Sequence, residues 1–150
     1  MKLREDADKI IQASIAAVLP DEAVAKALQG KTFGTGKIYM VAAGKAAWQM
    51  AQAAADILGE RLYAGVVVTK YDHVKGELPG IRCYEAGHPV PDENSYLATQ
   101  AVLDMTANLT EGDTVLFLLS GGGSALFEKP LVPGEVLQDV TNQLLACGAD

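Results

Sequence analysis

The chain has 150 residues, about the length of one domain, and 49% hydrophobic and 21% charged residues, as in ordinary globular proteins. Its 12 basic and 19 acidic residues give a formal net charge of -7, which argues against general binding to nucleic acid or anionic membranes but not against a local cationic pocket. The charged N-terminus leads into no long apolar run, so neither a signal peptide nor a membrane span is predicted. Cys83 and Cys147 are widely separated in the sequence, which indicates reduced thiols in a cytoplasmic protein.

The predicted elements alternate between helices and strands. Apolar residues at helical spacing predict a helix over residues 7–19, ended by Pro20, and a short helix through Leu28 with Asp21 as its N-cap. Residues 30–36 are predicted to form a loop. Further along, strands are predicted at residues 37–42, 63–69, 81–86 and 114–119, and helices at residues 44–58, from 92 or 93 to about 109, and 133–147.

Two of these strands contain continuous apolar runs, at residues 66–68 and 115–119. Such runs are typical of strands buried on both faces, so the sequence predicts an α/β fold, a Rossmann-like three-layer sandwich with a mainly parallel sheet flanked by helices. In open sheets of this kind, ligands bind beyond the carboxyl ends of the strands. Four loops are expected there, beginning at Gly44, Lys70, Gly87 and Ser120.

The most informative of these loops, here called the glycine loop, comprises Ser120, Gly121, Gly122, Gly123 and Ser124. Glycines allow successive backbone N–H groups to converge on one point, and such a nest before a helix N-terminus favours phosphate or carboxylate. The loop therefore predicts a site for a small anionic ligand. A flexible strand-to-helix turn is the alternative.

Gly44 and Lys45 follow the first predicted strand, and Lys45 is predicted to lie in the first turn of the next helix. A cation is unfavourable at the N-terminal end of a helix dipole, so an anionic ligand that faces both Lys45 and the helix N-terminus would explain a lysine at this position. A solvated surface lysine is the alternative. A dinucleotide fingerprint matches poorly because Ala42 replaces its first glycine and Lys70 stands where an acidic residue would read the ribose. The Walker A pattern is absent.

The two remaining loops carry histidines. Lys70 and His73 could add positive charge to the rim of a pocket or belong to an ordinary polar loop. Pro89 and Pro91 stiffen the loop of His88, which could bind an oxygen ligand or act as an acid or base. A plain strand-to-helix corner with Asp92 as N-cap explains this loop equally well.

Outside the loops, two further residues are predicted to pack. Cys83 is expected to pack within its strand, and Trp48 to lie in the core or at a subunit contact.

At these loops the chain resembles the N-terminal part of the class II (MOFRL-type) glycerate 2-kinases, some of which are labelled hydroxypyruvate reductases. The resemblance covers nearly the whole chain and is carried by residues 44–47, 67–71, 87–92 and 119–126. The Gly-His-Pro-x-Pro-Asp and Ser-Gly-Gly-Gly-Ser-Ala segments are specific when they occur together. The sequence departs from the family at Asp72, where a glycine is usual, and mildly at Ala42, often a glycine.

The resemblance implies phosphorylation of D-glycerate at its 2-hydroxyl by ATP with Mg²⁺, in a cleft between two domains. Lys45 matches the family's active-site lysine and is expected to stabilise charge on the substrate or the transferring phosphoryl group. The expected substrate- or nucleotide-binding residues are Gly44, Lys70, His88, Pro89 and the glycine loop, and no metal ligand is expected within the chain.

The same resemblance assigns residues 1–150 to the N-terminal part of a Rossmann-like kinase domain. The rest of that domain and a C-terminal domain are expected to lie outside this chain, because Gly148, Ala149 and Asp150 follow the last predicted helix at once. The alternative functions are a hydroxypyruvate reductase and a non-catalytic anion-binding domain. A homodimer is an alternative to a monomer.

Overall fold

The computed structural model describes residues 2–148 and consists of a parallel sheet with helices on both faces. A 3-10 turn, Gly59–Arg61, links the third helix to the second strand. In chain order the other elements are α1 (Lys2–Ala17), α2 (Pro20–Leu28), β1 (Ile38–Ala43), α3 (Ala47–Leu58), β2 (Leu62–Lys70), β3 (Ile81–Ala86), α4 (Glu93–Thr106), β4 (Thr114–Leu119), α5 (Gly123–Leu126) and α6 (Gly134–Cys147).

The strand order is β3-β2-β1-β4, and every neighbouring pair is parallel. The register places Ala43 at the end of β1 level with Val68 of β2 and Leu119 of β4. All four strands therefore end at the same edge of the sheet, and the four loops singled out in the sequence meet there. The predicted three-layer α/β fold is confirmed.

The sheet separates two layers of core packing. One face of β1 and β2 packs against α2 and α3, and the other packs against α4 and α5. Small residues on the helices, such as Ala51 and Ala98, are fully buried and allow the helices to approach the sheet closely. The hydrophobic residues of β1 and β2 that are almost completely buried are Ile38, Met40, Val41, Ala42, Ala43, Val66, Val67 and Val68.

The prediction that both apolar strands are buried on two faces is confirmed for β2 and wrong for β4. Leu118 is buried against the α2 and α3 layer, but Phe117 and Leu119 are 44% and 64% exposed on the opposite face. β4 is one of the two edge strands of the described sheet. An apolar run gives the hydrophobicity of a strand but not which neighbours cover it.

Some helix boundaries also differ from the prediction. Asp21 is not an N-cap, because α2 begins at Pro20 and Leu19 occupies the cap position; the Asp21 carboxylate instead accepts a hydrogen bond from the Gln49 amide. A helix N-terminus was expected after the glycine loop, but the bounds of the single turn α5 were not predicted, and α3 begins three residues later than predicted. α1 begins at Lys2 and buries none of its residues. Ala149 and Asp150, part of the expectation of a continuing chain, lie outside the described residues.

Trp48 and Cys83 are packing residues in this chain. Trp48 is buried, and its indole Nε1 donates to the Gly76 carbonyl at 3.0 Å. Cys83 is half-buried, and burial raises the pKa of its thiol. Within residues 2–148, no helix is both long and apolar enough to cross a membrane.

Asp92 starts α4 with a capping box, as its predicted role requires. Its carboxylate accepts from the Ser95 N–H, and its own N–H donates to the Ser95 hydroxyl, each at 3.2 Å. The Tyr71 hydroxyl donates to the same carboxylate at 2.7 Å. Burial raises the pKa of Asp92, but hydrogen bonds from Tyr71 and the backbone of Gly87, Ser95 and Asn94 outweigh burial and hold that pKa below its ordinary value.

We therefore expect Asp92→Ala to lower the free energy of unfolding by about 1 kcal/mol at neutral pH, measured by urea denaturation. Because the folded-state pKa is depressed, the carboxylate stabilises the fold above its ordinary pKa, and this contribution is lost as the pH falls through the folded value. The difference in the free energy of unfolding between the wild type and Asp92→Ala should thus become smaller in acid. Asp56→Ala, which removes an exposed carboxylate from α3, is the control. A difference that stays constant in acid would contradict this origin of the stability.

Candidate functional site

Lys45 lies in a tight turn between β1 and α3, here called the Lys45 turn (Gly44, Lys45 and Ala46). Gly44 has φ of +119°, and a Cβ added to it would lie 2.5 Å from the Ser120 carbonyl oxygen, so only glycine fits. The Lys45 N–H donates to the Gly121 carbonyl at 2.9 Å, and the Ala46 N–H donates to Ser120 Oγ at 3.0 Å. The loops after β1 and β4 are thus bonded directly to each other.

The prediction that Lys45 lies in the first turn of a helix is wrong. Ala46 occupies the N-cap position of α3, because the Ser120 hydroxyl accepts the Ala46 N–H and the chain becomes helical only at Ala47. Lys45 therefore does not oppose the dipole of α3, and its charge needs no anionic ligand for that reason. An anionic ligand is instead supported by the position of Lys45 beside the glycine loop.

The glycine loop lies directly against the Lys45 side chain. A Cβ added to Gly121 would lie 3.8 Å from Lys45 Cε, and one added to Gly122 would lie 3.4 Å from Lys45 Cγ. In the part of the chain that the structure describes, the N–H groups of Gly121 and Gly122 donate to no protein acceptor. Free amide donors and a lysine therefore occupy the same small region.

The two serines of the loop differ in their roles. The Ser120 hydroxyl accepts from Ala46 N–H and lies 3.4 Å from the Ala43 carbonyl, to which it donates, so it holds the Lys45 turn in place. Ser124 is exposed on α5. Since α5 has four residues, the helix N-terminus expected at this loop amounts to a single turn.

His88 reaches the glycine loop from the β3 side. A Cβ added to Gly122 would lie 2.7 Å from His88 Nε2, and Gly122 itself has φ of +87°. The His88–Pro89 peptide is cis, and Pro89 is exposed. The structure thus brings Lys45, Gly122 and His88 together, three residues from three of the predicted loops.

The end of β2 and the loop after it carry Lys70 and His73, which lie in different surroundings. Lys70 is the exposed last residue of β2, and no described hydrogen bond ties its side chain to the glycine loop. His73 is half-buried, and its Nδ1 lies 2.8 Å from the Lys45 carbonyl oxygen. His73 therefore contacts the backbone of the Lys45 turn from 28 residues away, which no spacing in the sequence could show.

A second hydrogen-bonded group at this edge was missed by the sequence reasoning. The Asn94 amide donates to the Tyr71 hydroxyl at 3.1 Å and to the Glu85 carbonyl at 3.0 Å. The hydrogen bond to Asp92, followed by burial, raises the pKa of Tyr71. Asn94 two residues after a predicted N-cap was the only signal of this arrangement. The group fixes the corner that carries His88.

A cleft of about 280 Å³ adjoins the Lys45 turn, and Lys45, Lys75, Asp72 and His73 line it. A larger cleft of about 870 Å³ lies around residues 74–81, but its charged lining residue is Glu77, which does not suit an anion. Within residues 2–148, no three His, Cys, Asp or Glu side chains lie close enough together to hold a metal ion.

Comparison with known proteins adds to this geometry. A sequence family described as a domain of unknown function, DUF4147, matches residues 6–150. The chain is similar to D-glycerate 2-kinase of Thermotoga maritima, with 50% identity over 98% of this chain and 35% of that protein. It is also similar to glycerate 2-kinase of Pyrococcus horikoshii, with 43% identity over 99% of this chain and 36% of that protein.

A solved structure is similar as well. The crystal structure of glycerate kinase from Thermotoga maritima superimposes with a TM-score of 0.89 and 49% identity, covering 99% of this chain and 36% of that one. The chain therefore spans about a third of the length of the curated relatives it matches.

We expect Gly122→Ala to displace His88, because the added Cβ would meet the imidazole and the backbone disfavours an L side chain at φ of +87°. Gly30→Ala is a matched control, since Gly30 has φ of +70° and open space around it. Both variants should lose about 1–2 kcal/mol of stability from the left-handed backbone. Only Gly122→Ala should also shift the His88 ring resonances in an NMR spectrum. Unchanged His88 resonances would contradict the contact.

Proposed function

Since this chain belongs to the DUF4147 family, we propose that it is the N-terminal part of a kinase that transfers a phosphoryl group from ATP to the 2-hydroxyl of D-glycerate. The observation that carries the proposal is the convergence of Lys45, the free amides of Gly121 and Gly122, and His88 at the carboxyl edge of the sheet. The names of the Thermotoga and Pyrococcus relatives support the choice of reaction and substrate.

The arrangement suits phosphoryl transfer. Glycerate is a small carboxylate and ATP a polyphosphate, and catalysis of this transfer depends mainly on positioning and on stabilising negative charge. Lys45 supplies a cation, and Gly121 and Gly122 supply amide donors without side chains in the way. Lys45 is the proposed catalytic residue, because its ammonium would meet the developing charge on the phosphoryl oxygens.

The other candidate residues support this centre. His88 hydrogen-bonds the substrate or shapes its pocket, Pro89 fixes the loop of His88, and Ser124 offers an exposed hydroxyl. Gly44 and Ser120 allow the two loops to approach each other closely, and Gly123 leaves room for the Leu119 side chain. Lys70 adds a cation at the same edge of the sheet, where no described hydrogen bond ties its side chain to the glycine loop.

ATP, when bound, supplies the phosphoryl group, and the glycine loop and Lys45 are the residues that would hold its phosphates. Mg²⁺ is proposed as the partner of ATP, because this cation would neutralise the negative charge that develops during phosphoryl transfer. Residues 2–148 do not offer a cluster of acidic side chains that fits this ion. No step of the proposal is therefore assigned to a metal held by these residues.

We also propose that residues 1–150 belong to a larger Rossmann-like domain that continues past β4 and is followed by a C-terminal domain. The exposed apolar face of β4 and the exposed stripe of α6 at Val136, Val140 and Leu144 support this. The order β3-β2-β1-β4 corresponds to the first four strands of a doubly wound sheet. The active site of this cytoplasmic enzyme would then lie in a cleft that the present chain only half forms.

The two alternative functions differ in what they require. A hydroxypyruvate reductase needs a dinucleotide site, but Ala42 stands in place of its first glycine and Lys70 at the end of β2 in place of its acidic residue. A non-catalytic anion-binding domain requires only the glycine loop.

The complete protein should release ADP in the presence of D-glycerate and should not consume NADH with hydroxypyruvate. NADH consumption without ADP release would overturn the kinase proposal.

Residues 1–150 alone should show no turnover with ATP and D-glycerate, because the proposed cleft needs the rest of the protein. An ADP-release assay of this fragment beside the complete protein tests the point. Equal rates would show that the catalytic groups all lie within this chain and would refute the proposed division of the site.

We expect Lys45→Met in the complete protein to lower kcat about 100- to 1,000-fold, the range for removal of one group that stabilises transition-state charge. Little stability should be lost, because the side chain is exposed and the turn is held through its backbone. Lys26→Met, which removes an exposed lysine from α2, is the control and should leave kcat unchanged. An unaltered kcat for Lys45→Met would remove Lys45 from the catalytic residues.

A further inference from the structure

The Lys45 carbonyl is held by side chains rather than by the helix that follows it. His73 Nδ1 lies 2.8 Å from this oxygen, and the Thr69 hydroxyl donates to it at 3.4 Å. Within the described residues, no backbone N–H donates to it, because α3 begins only at Ala47. The contact from His73 is the shorter of the two and defines where the carbonyl points.

The loop that carries His73 is itself fixed from β3. Glu85 Oε1 accepts from the N–H groups of His73 and Val74 at 2.9 and 2.8 Å. The His73 N–H also lies 3.2 Å from the Lys70 carbonyl. The imidazole is therefore presented to the Lys45 turn by a loop that is bonded to two neighbouring strands.

We infer that His73 is a positioning residue for Lys45, acting through a hydrogen bond from Nδ1–H to the Lys45 carbonyl. A carbonyl oxygen only accepts, so Nδ1 must carry a proton, and the neutral imidazole suffices. The other side of the turn is fixed by the glycine loop through Gly121 and Ser120. Between these anchors the Lys45 side chain lies along Gly121 and Gly122.

The consequence for catalysis rests on the proposed function of Lys45. A displacement of about 1 Å in a catalytic group can lower the rate about 100-fold. Loss of the His73 contact weakens the two hydrogen bonds to the glycine loop without removing them, so the fold should persist while the Lys45 side chain loses its fixed position. The effect should therefore appear in kcat rather than in stability.

Three substitutions test which ring nitrogen of His73 holds the Lys45 carbonyl. His73→Asn places an amide donor close to the position of Nδ1, His73→Gln places one close to that of Nε2, and His73→Ala removes both. In the complete protein we expect His73→Ala and His73→Gln to lower kcat for D-glycerate about 10- to 100-fold. His73→Asn should keep most of the wild-type kcat. Glu77→Gln, an exposed change in the same loop, is the control. Activity kept by the Gln variant and lost by the Asn variant would overturn the assignment to Nδ1.

Hydrogen exchange provides a readout that does not depend on the kinase reaction. Mass spectrometry of the complete protein should show faster exchange of the Lys45 and Ala46 amides in His73→Ala and His73→Gln, and wild-type exchange in His73→Asn. This pattern in a protein that does not phosphorylate D-glycerate would reject the proposed function and keep the positioning role. Unchanged exchange in all three variants of an active kinase would reject the positioning role.

Discussion

The close approach of Gly44 to Ser120 is the constraint on which the candidate site depends. Parallel pairing of β1 with β4 brings the two strand ends side by side, but their loops can form hydrogen bonds to each other only because no side chain stands at position 44. The resulting bonds from Lys45 and Ala46 to the glycine loop delay the start of α3 and set the direction of the lysine. A purely local turn would have left Lys45 on the helix.

The acidic composition of the chain is compatible with an anion site because Asp92 and Glu85 are engaged in hydrogen bonds. Asp72 also lines the cleft, but Lys45 and Lys75 outnumber it there. Asp92 accepts hydrogen bonds from Tyr71 and Ser95, and Glu85 accepts two from the backbone of the His73 loop. Their negative charge is thus used to hold the loops that surround the site. Lys45 and Lys75 remain exposed along the cleft, so the local charge differs in sign from that of the whole chain.

Much of the fold follows from local sequence patterns. The bounds of β3 and β4 agree with the predicted bounds, and the alternation of strands and helices predicted four loops at one edge. The errors arose where distant residues decide the outcome. The start of α3 depends on the Ser120 hydroxyl, and the exposure of β4 depends on what lies beside it. The contact between His73 and Lys45 joins loops 28 residues apart, so no pattern could reveal it; the functions of the site residues stay predictions.

The bonds between the Lys45 turn and the glycine loop have a mechanical consequence. The glycine loop continues directly from β4, the strand whose outer face is exposed in this chain. A rigid-body shift at the end of β4 would be transmitted to the Lys45 backbone, since the two are joined through Gly121 and Ser120. The Lys45 turn and the glycine loop should therefore move together. A partner that packs against the outer face of β4 and shifts this strand would also shift the backbone of Lys45.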